Sequence, residues 1–107
     1  MDDVIPSVVE GSLMKQYYVY IMASDSGTLY IGFTENLQRR TWEHRNHIIK
    51  GFTEKYDCHK LVYFEIFEDP ENGILREKQL KKWNRKKKEL LVRLMNPHWD
   101  DLYDSIL

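Results

Sequence analysis

The sequence predicts an α+β domain: a small three-stranded antiparallel sheet flanked by helices. Three observations predict it. Two aromatic and branched runs flank a Ser-Asp-Ser-Gly turn, a third apolar run lies at residues 61–67, and capped amphipathic segments fall between and after them. The order hairpin, helix, strand, helix, helix leaves too little chain for a doubly wound sheet, and no glycine-rich phosphate fingerprint is present.

Residues 1–15 hold Pro6, Gly11 and a short Val8-Val9 pair without sustained periodicity, so they are expected to form a flexible arm. Patterned sequence begins at Gln16, just after Met14, which is an alternative start. Residues 17–23 and 28–33 form the expected hairpin, with Gly27 at the left-handed turn position. A loop of residues 25–27 pairs Ser24 with Thr28, sets Tyr20 and Tyr30 on one face, and puts Tyr20 opposite Gly32. The missing side chain at Gly32 then predicts a notch open to a small oxyanion group.

Thr34 as N-cap and Gly51 as stop predict a helix over residues 35–50. At about 100° per residue its inward wedge contains Leu37, Thr41, His44 and Ile48, with Arg40 at the edge. The run LVYFEIF is nearly all apolar and is expected to lie mid-sheet, covered on both faces. Asp69-Pro70 opens a helix over residues 70–84, and another is expected over 86–95 with Leu90, Leu91 and Leu94 inward. The tail is anchored by Trp99 and Leu102.

With 107 residues, 42% hydrophobic and 31% charged, the chain suits one domain, expected over residues 16–107. No apolar stretch reaches the roughly 18 residues of a membrane span, and Asp2 and Asp3 stand where a secretory signal carries positive charge. Cys58 is the only cysteine, which excludes an internal disulfide and a Cys-rich zinc site; with His47 and His59 it makes no metal-ligand spacing. These features predict a cytoplasmic protein with no membrane contact. The net charge of -1 conceals a basic run, Lys81, Lys82, Arg85, Lys86, Lys87 and Lys88, which is either a solvated helix connector or a phosphate track.

Val19-Tyr20 within YVYIM, Tyr30-Ile31-Gly32, Arg40, His44, and Glu77 within REKQLK occur in an order that resembles the GIY-YIG nuclease superfamily. GFTEKY, LVYFE and MNPHW narrow the resemblance to its small stand-alone, excinuclease-like (UPF0213-type) bacterial branch. Tyr18 replaces the glycine of the first motif, a departure bearing on backbone shape at the site entrance. The resemblance implies a metal-dependent endonuclease acting on DNA and leaving 5′-phosphate and 3′-hydroxyl ends. It implies Tyr20 as general base or water-positioning group, Tyr30 as its hydrogen-bonding partner, and Glu77 as the one protein ligand of a Mg²⁺ or Mn²⁺ ion. It further implies Arg40 as phosphate clamp, His44 as the group that orients Tyr20 or shuttles its proton, and Asn96 as the family's late asparagine. A phenol ionises at about pH 10, so a tyrosine base near neutrality calls for neighbouring cations, Arg40 and the metal.

Each residue also has a plainer reading. Tyr20 and Tyr30 suit any sheet face; Arg40 and His44 suit a helix edge; Glu77 and Lys81 suit a routine i,i+4 ion pair. Against this, Glu77 leans over Gly73, where lost bulk in a helix interior predicts room for an ion. Trp83 reads as a core anchor. Gly32, Lys55, Lys81, Arg85 and Asn96 complete the expected substrate-binding set, with Lys55, Tyr56 and His59 in a loop facing flanking nucleotides.

A chain this short carries no separate recognition domain, so single-stranded or branched DNA is expected over a specific duplex site, acted on by a monomer or weak homodimer. The alternative function is a non-catalytic nucleic-acid-binding module working through residues 81–88; a protein-interaction domain is the third.

Overall fold

The computed structural model describes residues 15–107. The expected arm therefore lies, Lys15 apart, outside the described residues. Strands β1 (Tyr17–Ala23) and β2 (Leu29–Thr34) form the hairpin, followed by α1 (Leu37–Arg45), a short α2 (Phe52–Tyr56), β3 (Lys60–Phe67), α3 (Pro70–Lys82), α4 (Arg85–Met95) and a closing 3₁₀ turn, Tyr103–Ile106. The sheet is antiparallel throughout, in the order β2-β1-β3.

The hairpin has the expected register. Ser24 N–H donates to Thr28 O at 2.9 Å, Gly27 takes φ 94°, and Tyr20 faces Gly32. Strand position differs from expectation: β1 is central and the LVYFEIF strand is an edge. Its apolar run comes instead from cover on both faces over its first half, where Leu61, Val62 and Tyr63 are buried, while Ile66 near its end is exposed.

Alternation along β1 feeds two cores. Val19, Ile21 and Ala23 pack with Ile31, Val62, Leu80 and Val92 beneath α3 and α4; Trp83 and Trp99 pack against this cluster. Tyr20 and Met22 pack on the other face with Leu37, Cys58 and Leu61, flanked by Leu102 and Ile106 of the tail. At about 1.5–3 kcal/mol for each large apolar side chain fully buried, these two layers hold the sheet between its helices. Trp83 is thus a core anchor, with Arg76 and Lys87 over its ring at 5.2 and 4.7 Å.

Helix boundaries moved for identifiable reasons. Asn36, not Thr34, caps α1, its side chain accepting from Arg39 N–H at 3.0 Å. Thr34 Oγ1 instead accepts from Asn36 N–H at 3.1 Å, shaping the entry to the helix. The helix ends at Arg45 because Asn46 caps it and His47 turns to φ 55°. Leu37, Thr41 and His44 are buried as expected; Ile48, beyond the helix, is exposed. Gly51 does not stop this helix but opens α2 at φ 105°. In α4 the inward residue is Val92: Leu91 is partly buried, but Leu90 and Leu94 point to solvent, the helix being turned about one residue from the expected face. α3 ends at Lys82, two residues early, and α4 starts at Arg85 under an Asn84 cap that accepts from Lys87 N–H at 2.9 Å.

Gly73 has a purpose other than the one its position above Glu77 suggested. A Cβ there would stand 2.6 Å from Cε1 of Phe33, so the missing bulk admits the Phe33 ring of β2 and leaves no room for an ion. Phe33 in turn stacks on Tyr17, with ring centroids 6.1 Å apart.

Candidate active site

The site is built around Tyr20, which springs from the middle of the central strand and is fully buried. Its ring lies across Gly32 of the neighbouring edge strand. A Cβ on Gly32 would meet the Tyr20 hydroxyl and stand 2.5 Å from Cζ and 2.8 Å from Cε1. The predicted notch therefore exists, but the tyrosine fills it. Glycine at this position carries the phenol over β2 toward the outer edge of the sheet.

His44, on the buried face of α1, meets that hydroxyl: Tyr20 Oη and His44 Nε2 are 2.9 Å apart. The second ring nitrogen, Nδ1, lies 3.0 Å from Thr53 Oγ1 on α2, and Thr53 is itself buried. Tyr30 completes an aromatic triangle, its ring centroid 6.3 Å from Tyr20 and 5.3 Å from His44. Arg40, one turn before His44, keeps its guanidinium beside Tyr20, part-exposed and 3.3 Å from Glu43.

Burial dominates the electrostatics. It pushes the Tyr20 phenol well above its usual range, the neighbouring Tyr30 adds to the push, and Arg40 pulls the other way without overcoming it. Arg40, one of the two cations expected to favour a phenolate, thus acts in that direction without outweighing burial. Glu77 also raises the Tyr20 value, so its charge is felt at the phenol although α3 packs on the opposite face of the sheet. Burial, then Arg40, lowers His44 to about 4, so its imidazole is neutral at pH 7.

That depression has a consequence for folding. Unfolded, the imidazole binds its proton with an ordinary value of 6.5; folded, it resists until about 4. The contribution to stability is complete above pH 6.5 and is lost as pH falls toward 4, amounting to about 2–3 kcal/mol. Urea midpoints of the wild type and His44→Gln measured from pH 7 to pH 4 are expected to converge by that amount; parallel curves would contradict it.

Glu77 is mostly covered and lies 3.2 Å from Lys81, the i,i+4 pair that its spacing allows. Among the described residues no group of three or more His, Cys, Asp or Glu is gathered around a metal position. A lone carboxylate such as Glu77 would suit a hard ion that keeps most of its waters and does not make a zinc cage. Beside Arg40 opens a cleft of about 620 Å³, lined by Lys15, Phe33, Thr34, Glu35, Asn36, Arg39, Arg40 and Glu43.

The remaining expected residues are dispersed. Asn96 is buried and its amide is committed to the main chain, donating to Val62 O at 3.1 Å and Asp100 O at 2.8 Å while accepting from Asp100 N–H. It ties the tail to β3 and has no free polar atom to offer a substrate. Arg85 pairs with Glu89 at 2.6 Å and approaches the hairpin turn at Gly27. Lys55 lies on the outside of α2, its Nζ 5.4 Å from the Tyr56 ring centroid. Thr53 is the residue that sequence reasoning missed. Reading Gly51 as a stop hid the short helix that follows, and Thr53 is its inward position.

Residues 16–90 match the family model described as the GIY-YIG catalytic domain. The chain belongs to the GIY-YIG family, a class of nucleases with DNA as substrate. Within that class its relatives are UPF0213 proteins. One from Clostridium perfringens is 39% identical over 75 residues, covering 70% of this chain and 81% of the relative. Another, from Natronomonas pharaonis, is 36% identical over 80 residues, covering 75% and 94%. The solution NMR structure of a UPF0213 protein from Bacillus halodurans superposes with a TM-score of 0.53 at 29% identity, covering 80% of this chain and 92% of that one. No helix among the described residues is long and apolar enough to cross a membrane.

Proposed function

We propose that this chain is a divalent-metal-dependent DNA endonuclease, cytoplasmic, hydrolysing phosphodiester bonds with single-stranded or branched DNA favoured over a specific duplex site. One observation carries the reading: Tyr20, Tyr30, Arg40 and His44, drawn from three elements, gather around the hydrogen bond between Tyr20 and His44.

Glu77 would hold a Mg²⁺ or Mn²⁺ ion, which would supply charge neutralisation to the phosphate. The chain's own groups do the rest. Arg40 clamps the phosphate through its planar fork, at the mouth of the cleft it lines. His44, neutral, carries its proton on Nδ1 and donates it to Thr53 Oγ1, which leaves Nε2 free to accept from Tyr20. As the attacking water gives a proton to the Tyr20 oxygen, the phenolic proton passes to Nε2. The water oxygen bonds to phosphorus, the bond to the 3′ oxygen breaks, and that oxygen leaves protonated by solvent. An imidazolium is costly in the empty site, and the anionic phosphate offsets that cost when it enters.

The test is cleavage of labelled single-stranded, branched and duplex DNA with Mg²⁺, Mn²⁺ or EDTA. Cutting is expected only with metal, and Glu77→Ala is expected to lower the rate on the order of 100-fold or more while DNA retention persists. Retention without cutting under every condition would favour a binding module acting through residues 81–88. No salt-sensitive retention would remove both readings.

A further inference from the structure

Two large aromatic side chains of α2 lie outside both cores. Phe52 and Tyr56 are 46% and 44% exposed, a costly placement on a helix of five residues unless the surface is used. At i and i+4 they share one face, with ring centroids 4.7 Å apart. Phe52 continues inward to Tyr30 at 6.0 Å, and Tyr30 is itself a corner of the triangle with Tyr20 and His44. An unbroken series of rings thus leads from the candidate reacting group to solvent.

The series is fixed to the site. Thr53, between the two exposed rings in sequence, turns inward to the His44 hydrogen bond, and the helix is closed by Gly51 at φ 105° and Asp57 at φ 56°. Lys55 stands above the Tyr56 ring, placing a cation beside the exposed faces.

We propose that Phe52 and Tyr56 form a stacking platform for an unpaired nucleobase adjoining the scissile phosphate, with Lys55 on the flanking phosphate. The proposal rests on the nuclease reading above and names what that site selects. Every base offers a π-face, so such a platform is indifferent to sequence. In a duplex both faces of each base are already covered by neighbours, and the platform has nothing to grip. Preference for unpaired DNA follows from this surface.

The test uses a short single strand carrying 2-aminopurine at successive positions, bound to the full-length protein in EDTA or Ca²⁺, with steady-state cleavage measured separately. One position, next to the cut, is expected to be quenched by stacking. Phe52→Leu and Tyr56→Leu, which keep apolar bulk but remove the π-face, should relieve the quenching and raise KM for single strands about 5- to 150-fold. Phe52→Tyr should retain wild-type behaviour, and kcat should change little. Absence of any quenched position in the wild type, leucine variants that bind like wild type, or equal loss of single-strand and duplex cleavage would each overturn the platform. A wild type that quenches but never cuts refutes the nuclease reading and leaves the base-stacking surface in place. Retention of a protein partner through these rings, with no effect of the variants on DNA, would also overturn it.

Discussion

Tyr20→Phe is expected to lower the rate of DNA cleavage about 100- to 10,000-fold, the usual range for losing a positioned acid or base. The substitution keeps the ring across Gly32 and removes only the hydroxyl, so DNA binding should be unchanged. It leaves His44 Nε2 buried without its partner, 2.9 Å away in the wild type, and a stability cost of about 1–3 kcal/mol follows. The pH profile separates a relay through the protonated phenol from a phenolate base. Because burial and Tyr30 hold the phenol protonated, and it passes its proton to His44 as it accepts one from water, the wild-type rate should stay flat from pH 6 to about pH 9, whereas a steady climb would show a phenolate as the base. His44, lowered to about 4, should add no break near pH 6.5. A variant retaining wild-type kcat would remove Tyr20 from the reaction.

Gly32→Ala is expected to damage both folding and catalysis, although it adds one methyl to an edge strand. The new Cβ would stand 2.5 Å from Tyr20 Cζ. Tyr20 is rooted in the central strand, so relief must come from displacing its ring and breaking the contact with His44. Overpacking of this kind costs about 1–3 kcal/mol, and a reacting group misplaced by about 1 Å costs about 100-fold in rate. The origin of the loss is checked by a double-mutant cycle. Introducing Gly32→Ala into a Tyr20→Leu background should cost far less stability than introducing it into the wild type. Additive effects would show that the glycine serves the backbone alone.

The alternation of YVYIM with the turn at Gly27 sets the register, and register alone puts Tyr20, Tyr30 and Gly32 on one face. Side-chain period is local information, and a hairpin is a local structure. The same logic found all three buried positions of α1 and failed only at its fourth, Ile48, where a left-handed His47 ends the helix although histidine gives little warning of it. Strand order was less legible. An apolar run reports cover on two faces and does not report hydrogen-bonded neighbours on two edges, so β3 read as central. What glycines make room for was not legible either. Both Gly32 and Gly73 signalled missing bulk, but the occupants, Tyr20 and Phe33, come from residues whose approach depends on tertiary packing. Asn96 shows the same limit: its amide bonds Val62 O, across 34 positions of chain.

The contrast between β1 and α2 bears on how such an enzyme changes its preferences. Tyr20 stands on a strand hydrogen-bonded along both flanks, and few substitutions there are survivable. The segment 46–57 hangs on a single buried threonine, its remaining residues largely facing water. Diversification of targets therefore has a natural address: the exposed positions around Thr53 can be redrawn, in nature or in a library, while the machinery that breaks the bond stays untouched.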